Sequence, residues 1–473
     1  MNPRRMLVAL GAAYLVAQLA LLHMARIPTY DEAVYISQVS SRLDAIRFSP
    51  HRARGIVVLI APVTLLGASG WPLHVFLAVV SSAGLVAAFW PWIRALGSAA
   101  PIAALIFAST WLGLFYGSAA MPNLPEALLA VGAAGLIARG LDNARRDVWL
   151  GGGILALAGL FRPTDAIAVG AGLVVATLLL SRRARARTIT VIVLAVVVGW
   201  VPWTIESFAR LDGPVAALRE AQQIQETNIG PNIREHLEMT DGPLVGPARS
   251  DPIPPAGVAW WTAIAALTIV GLAASRKDPV WRPAVLATVV AAAAAAPYLL
   301  IKGPSAPRFL LPAYGLVALP MALGLLASVR WASARIGRAV AVAGVALLAL
   351  VWLVGHAAAA RVIQQRKVVE PGIAFRAIGE EMRERAGGVP CSFASSSNHP
   401  QISFVASCGG RALRPTNEYG IDERLRKAAE DGERVYLTAK QPATEPPFSE
   451  WVWAQVADTR WWIAEPAGQA RGP

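Results

Sequence analysis

Ile56-Val57-Val58-Leu59-Ile60-Ala61-Pro62-Val63-Thr64-Leu65-Leu66-Gly67 decides how this chain is laid out. The stretch is apolar, but it is only about a dozen residues long and contains a proline, whereas a helix that crosses a bilayer needs roughly 20 apolar residues. If it lies in the interface, every strongly basic loop downstream faces the cytoplasm. These are Arg94, then Arg139, Arg145 and Arg146, then Arg182-Arg183-Ala184-Arg185-Ala186-Arg187, then Arg276, Lys277 and Arg282, and finally Arg330, Arg335 and Arg338. If it crosses, all of them move outside. Basic loops belong to the cytoplasmic side, so the segment is read as lying in the bilayer surface and not through it.

Outward from that segment the chain reads as a polytopic α-helical membrane protein. Of its 473 residues 55% are hydrophobic and only 15% are charged, with a mean hydropathy of +0.48. A soluble chain carries about 25% charged residues. Apolar runs are expected to span at 6–24, 72–92, 100–119, 124–139, 148–161, 166–181, 188–206, 257–275, 283–301, 309–329 and 339–358. That is about eleven spans, filling about three quarters of the chain. The first run lacks a small-residue cleavage site and is read as a retained span, not a signal peptide. Arg4 and Arg5 before it place the N-terminus in the cytoplasm. The net charge of +13 invites a nucleic-acid reading, but the arginines sit at the ends of apolar runs, where they set topology. The excess of Arg over Lys and the abundance of Ala fit a bacterial chain, whose cytoplasmic (inner) membrane would hold it.

The domain division expected is a transmembrane domain over 1–360 and a small α/β domain over 361–473 on the outer face. In the latter, Phe375 to Arg385 and Ile421 to Glu430 read as amphipathic helices, and Arg434 to Thr438 and Trp451 to Val456 as strands. Its two cysteines, Cys391 and Cys408, are the only ones in the chain. In an oxidising compartment they are expected to pair; two buried free thiols are the alternative.

On the same outer face lie loops 26–71 and 207–256 and the turns at 119–125, 162–165 and 302–308. The unusual charges gather there, and charge at a membrane usually has a task. Tyr30-Asp31-Glu32-Ala33-Val34-Tyr35 follows the first span. Adjacent carboxylates there suit a general base or a metal site, or simply an acidic helix start favoured by the dipole. In Ser49-Pro50-His51-Arg52-Ala53-Arg54-Gly55 two arginines stand ready for a lipid phosphate, or snorkel to headgroups. Met121-Pro122-Asn123-Leu124-Pro125-Glu126 places an acid at the start of a span. Arg162-Pro163-Thr164-Asp165, Lys302-Gly303-Pro304 and Pro307-Arg308-Phe309 place cations on the side where the positive-inside rule does not. An anionic ligand held on this face accounts for them together.

In this order the residues resemble the GT-C class of membrane glycosyltransferases, in particular the protein O-mannosyltransferase and aminoarabinose-transferase superfamily. The resemblance covers roughly residues 1–358 and rests on element order, not on any single motif. An Asp-Glu pair opens the first outer loop (Asp31-Glu32), and a basic stretch with a proline (Pro50 to Gly55) precedes an interfacial segment. A Pro-acid turn (Pro125-Glu126), Gly159-Leu160-Phe161-Arg162-Pro163 and Arg308-Phe309-Leu310-Leu311-Pro312 follow. The basic stretch departs from the Lys-Pro-Pro form of many relatives, and the turn acid is Glu126 where relatives often have Asp.

The resemblance implies transfer of a sugar from a polyprenyl-phosphate donor to an acceptor hydroxyl on a lipid, glycan or protein. Asp31 would act as general base, with inversion at the anomeric carbon. Arg52, Arg54, Arg162, Lys302 and Arg308 are then candidates for the phosphate. Tyr30, Tyr35, His51 and Asn123 are candidates for the acceptor or sugar pocket. Glu32 and Glu126 would orient the acceptor or join a divalent metal, although no His/carboxylate spacing forces one. A transporter or flippase of a lipid-linked anion also suits outer-face arginines. Related halves with broken helices at mid-membrane are not seen in the sequence. A non-catalytic scaffold that presents the C-terminal domain leaves the clustered charges without a purpose.

Overall fold

The computed structural model describes residues 2–22, 26–41, 43, 45–67, 70–141, 144–181, 185–226, 228–238, 253, 255–302, 306–412, 421–444 and 448–469. In chain order its helices begin with α1 (Pro3–Leu21), α2 (Tyr30–Ser37), α3 (Gly55–Leu65), α4 (Trp71–Leu96), α5 (Ala99–Ala108), α6 (Trp111–Tyr116), α7 (Asn123–Gly140), α8 (Arg145–Phe161), α9 (Pro163–Leu180) and α10 (Arg185–Arg210). There follow α11 (Pro214–Gln225), β1 (Asn228–Ile229), α12 (Ile233–Glu238), α13 (Pro255–Ser275), α14 (Trp281–Leu300), β2 (Ile301–Lys302), α15 (Leu311–Ile336) and α16 (Arg338–Gln364). The C-terminal part adds α17 (Glu370–Ala386), β3 (Cys391–Ser395), α18 (His399–Ala406), β4 (Gly409–Ala412), α19 (Ile421–Glu430), β5 (Arg434–Ala439), β6 (Val452–Gln455) and β7 (Trp462–Glu465).

Among the described residues eight helices are long and apolar enough to cross a membrane, and the chain is a multi-pass membrane protein. They coincide with eight of the expected spans. Spans 124–139 and 148–161 appear as α7 and α8, of 18 and 17 residues. The span expected over 100–119 is not one helix. It breaks at Ser109-Thr110 into α5 and α6, of 10 and 6 residues. Thr110 causes the break: its hydroxyl donates to the Phe107 carbonyl (2.8 Å) and accepts from the Gly113 N–H (3.0 Å), capping a new helix. The decisive stretch 56–67 is α3, an 11-residue helix with Pro62 inside it. At 1.5 Å per residue it reaches about 16 Å, half of a hydrocarbon core.

The chain divides into two compact units. One comprises Met1–Leu21, Ser49–Val58 and Val75–Ile363; the other comprises Leu22–Phe48, Leu59–His74 and Gln364–Pro473. This cuts across the division at 360, because the first loop clusters with the C-terminal segment.

The first unit is a helix bundle packed through small residues, as membrane helices are. A Cβ built on Gly271 would run into the Pro320 carbonyl, and one on Gly324 into the Leu267 carbonyl, so α13 and α15 touch backbone to backbone. Several polar groups inside the bundle are paired with one another. Trp92 Nε1 donates to the Val131 carbonyl (3.0 Å), Gln18 Nε2 to Ser82 (3.1 Å) and the Tyr14 hydroxyl to the Gly113 carbonyl.

In the second unit five strands form a sheet in the order β4-β3-β5-β7-β6, with β3 parallel to β4 and β5 and the rest antiparallel. One face packs Phe393, Tyr436 and Ile463 against Phe375, Ile378 and Met382 of α17 and Ile402 of α18. The other packs Ala394, Val435 and Leu437 against Leu425 of α19. The two expected amphipathic helices and two expected strands are α17, α19, β5 and β6. Cys391 and Cys408 are joined by a disulfide, with Cα atoms 4.9 Å apart.

Candidate active site

The second unit carries the acid pair, and its two carboxylates have different surroundings. Thr29-Tyr30-Asp31-Glu32 starts α2, and Glu32 reaches back so that its Oε2 accepts from the Thr29 N–H at 2.8 Å. Its Oε1 accepts from Arg26 Nη2 at 3.0 Å and lies 3.8 Å from His74 Nδ1. Glu32, Arg26 and His74 are all buried. Glu32 thus ties the first loop together and is committed to that pairing. Asp31, one residue earlier and so on another side of the helix, is half-buried. Tyr30 is 41% exposed and meets His399 edge-on at 5.8 Å. Tyr35 lies on the Asp31 side by its spacing, but its ring is buried against Phe48.

The first unit holds the other candidates at one end of the bundle. Around Ser49 to Gly55, Trp203 Nε1 donates to the Pro50 carbonyl at 2.9 Å. A Cβ on Gly55 would stand 2.7 Å from the backbone of Leu160, so only glycine lets this segment lie against the end of α8. Arg54 forms a two-pronged ion pair with Glu206 (Nη2–Oε1 2.7 Å, Nε–Oε1 3.0 Å), and Arg210 joins the same carboxylate at 2.7 Å. Arg52 donates to the Ser49 hydroxyl, and the exposed His51 lies 3.5 Å from that hydroxyl.

A polar cluster lies where α7 begins, α8 meets α9 and α14 ends. Pro163 stops α8 and starts α9, which leaves Arg162 extended between them. Arg162 Nε donates to Asp165 Oδ2 (2.6 Å), and its Nη2 donates to the Tyr298 hydroxyl (2.6 Å). That hydroxyl in turn donates to Asp165. Burial opposes the charge on Arg162, but Asp165 and its neighbours outweigh burial and lift the guanidinium above its ordinary range.

The Phe309 ring, on a short 3-10 turn over Pro307–Leu310, stacks on Tyr298 at 5.3 Å. Arg162 and the buried Arg308 both lie over it, at 4.8 and 5.1 Å. Aromatic faces hold guanidinium groups in this way, so two cations expected from the sequence come together on one ring. The carbonyl of Tyr298 accepts from Asn232 (3.3 Å) and from His236 Nε2 (3.2 Å). Burial holds the His236 imidazole below its ordinary pKa, against the pull of that carbonyl.

Glu126 and Asn123, in the first turn of α7, complete the cluster. Both side chains are essentially inaccessible, at 0% and 1% exposure. Glu126 interacts electrostatically with Asp165 and Arg162. Neither its two carboxylate oxygens nor the two amide atoms of Asn123 have a hydrogen-bond partner among the described residues. Leaving such groups unsatisfied costs about 1–3 kcal/mol each and more for a charge, so the arrangement calls for an explanation beyond packing. Lys302 lies in β2 with its backbone paired to Asn228; its side chain lies outside the described residues, as do Arg182, Arg183 and the turn 303–305.

Two of the carboxylates in these clusters are already engaged. Glu32 is given to Arg26, and Asp165 to Arg162 and Tyr298. Among the described residues no three His, Cys, Asp or Glu side chains come together as a metal-binding group.

No family model matches the chain, and no curated protein matches its sequence. Solved structures do match its fold. ArnT from Cupriavidus metallidurans bound to undecaprenyl phosphate superposes with a TM-score of 0.69 at 15% identity, over 98% of this chain and 99% of that one. The chain carries the GT-C fold. The oligosaccharyltransferase AglB from Archaeoglobus fulgidus, in complex with an inhibitory peptide and a dolichol-phosphate, superposes at 0.57 with 14% identity over 92% of this chain and 69% of its own. The arabinofuranosyltransferase AftD from mycobacteria superposes at 0.55 with 18% identity over 99% of this chain, which spans 41% of AftD.

Several partners went unseen in the sequence. Tyr298 ends an Ala-rich span and Glu206 lies near the end of another, and an acid or phenol there is the signal that would have found them. Arg26 and His74 carry no local signal, since they meet Glu32 only in the fold.

Proposed function

We propose that the chain is a glycosyltransferase that moves a sugar from a polyprenyl-phosphate donor to an acceptor hydroxyl. It would act at the outer face of the bacterial cytoplasmic membrane, with the N-terminus in the cytoplasm and the disulfide-bearing C-terminal unit outside. The observation that carries this reading is the Arg162–Asp165–Tyr298–Arg308 cluster with the unsatisfied Glu126 and Asn123. It sits in a fold shared end to end with a protein bound to undecaprenyl phosphate.

Each group has a task in this account. Asp31 takes the proton from the acceptor hydroxyl as that oxygen bonds to the anomeric carbon. The bond from that carbon to the donor phosphate oxygen breaks, the electron pair stays with the phosphate, and polyprenyl phosphate leaves from the opposite side, so the configuration inverts. Arg162 and Arg308 stabilise the charge that grows on the leaving phosphate beside low-dielectric lipid. Glu126 and Asn123 receive hydroxyl groups of the transferred sugar, which satisfies their buried polar atoms. Glu32 acts only by fixing the loop that carries Asp31.

The test is to incubate the purified protein in lipid with a panel of polyprenyl-phosphate sugars and candidate acceptors. Release of polyprenyl phosphate from at least one donor is expected. Intact donor across the panel, with ATP-independent movement of donor between leaflets instead, would overturn the reading in favour of a flippase.

A further inference from the structure

The chain leaves the middle strand of the C-terminal sheet in two directions. From β3 it returns through α18 as β4 on one side, then through α19 as β5 on the other, and both neighbours run parallel to β3. The carboxyl end of β3 is therefore a topological switch point, where open α/β sheets keep a ligand crevice. The residues there are Ser395-Ser396-Ser397-Asn398-His399, a run of hydroxyls, an amide and an imidazole without Arg, Lys, Asp or Glu.

Ser395 pairs in register with Thr438 of β5, so both side chains leave the same sheet face at its edge. The Ser395 hydroxyl donates to the Ser397 carbonyl at 2.6 Å. Thr438 is fully buried, and its hydroxyl has no hydrogen-bond partner among the described residues. A buried hydroxyl in that position calls for a polar ligand group. The first outer loop, part of the same compact unit, forms the facing wall. Gln401 Nε2 donates to the Pro28 carbonyl at 3.4 Å, and the His399 ring meets Tyr30, which is 41% exposed and adjoins Asp31.

We propose that this crevice is the acceptor subsite and that its occupant is a neutral saccharide. Tyr30 offers an aromatic face to a sugar ring, and Ser397, Asn398 and Thr438 offer neutral groups to its hydroxyls, which is how pockets fix polar ligands. The nearby Asp31 carboxylate, with no Arg or Lys in the run, disfavours an anionic group here. The C-terminal unit thereby brings an acceptor hydroxyl to the residue that deprotonates it. This rests on Asp31 being the base.

Full-length protein in lipid nanodiscs is tested by saturation-transfer NMR. The probes are methyl glycosides of glucose, galactose, mannose and N-acetylglucosamine, and a peptide rich in Ser and Thr. At least one glycoside is expected to bind. Tyr30→Ala should weaken it by roughly tenfold, the loss of one good contact. Asn398→Gly should do the same while keeping the left-handed backbone that position adopts (φ 59°). Asp31→Asn should leave binding intact. Absence of glycoside binding, binding indifferent to both substitutions, or binding of the peptide alone overturns the proposal. Turnover is read separately. Glycoside binding lost in Tyr30→Ala and Asn398→Gly, together with turnover that survives Asp31→Asn, upholds the subsite and sinks the base. Turnover abolished by Asp31→Asn, together with indifferent binding, sinks the subsite alone.

Discussion

Replacing Glu32 with Gln separates a structural carboxylate from a chemical one. In the parent, Glu32 pairs with Arg26 at 3.0 Å, and the two side chains are 0% and 1% exposed. Gln keeps an oxygen to accept from the Thr29 N–H, so the start of α2 retains its cap. What disappears is the charge that compensates the Arg26 guanidinium in a buried place. Removing one partner of a buried ion pair costs about 3–5 kcal/mol. For a unit of this size each kcal/mol moves the melting temperature by about 2–4 °C, so a fall of about 6–20 °C is expected. The assay is thermal unfolding of the purified protein in nanodiscs, followed by tryptophan fluorescence. The double variant Arg26→Met with Glu32→Met should recover most of the loss, because well-packed apolar side chains replace buried pairs at little cost. A Glu32→Gln protein that melts within about 2 °C of the parent yet loses turnover as fully as a base variant would refute the structural assignment.

Other consequences follow from the same contacts. Arg162→Gln and Arg308→Gln should each weaken donor binding by roughly tenfold or more, since charge-assisted hydrogen bonds contribute about 1.5–3 kcal/mol. Arg54→Gln should change donor affinity far less, because Glu206 already holds that guanidinium bidentately; titration of nanodisc-embedded variants with labelled polyprenyl phosphate compares the three, and equal losses would mean that the Arg54–Glu206 pair opens for the donor. The Cys391–Cys408 bridge closes a short loop, with a sequence separation of 17. Its removal by Cys391→Ser with Cys408→Ser should lower the stability of the C-terminal unit by about 3 kcal/mol, read as earlier proteolysis of that unit on heating. An unchanged proteolysis midpoint would contradict this.

The helices were largely legible because hydropathy is a local property. A run such as 257–275 is apolar wherever it lies. The shortness of 56–67 and its proline gave α3. The amphipathic segments Phe375 to Arg385 and Ile421 to Glu430 gave α17 and α19 for the same reason. The break at Ser109-Thr110 was not legible, since apolar residues flank it on both sides and a single side-chain cap makes it. Long-range pairing was the larger gap. Nothing near Glu32 in sequence announces His74, and nothing near Arg54 announces Glu206, although these partners decide which charges remain for chemistry. The motif Arg162-Pro163-Thr164-Asp165 was visible, but its meaning depends on Tyr298 and Phe309, brought in by α14 and the turn after it. The burial of Glu126 and Asn123 likewise belongs to the fold and not to the Pro-acid motif.

The central claim is that Asp31 removes the acceptor proton, and single-turnover transfer by Asp31→Asn tests it most directly. With a donor that the parent consumes, the account predicts a fall of roughly 10²–10⁴-fold, the usual contribution of a positioned base, with unchanged melting temperature and donor affinity. Turnover close to that of the parent would contradict it.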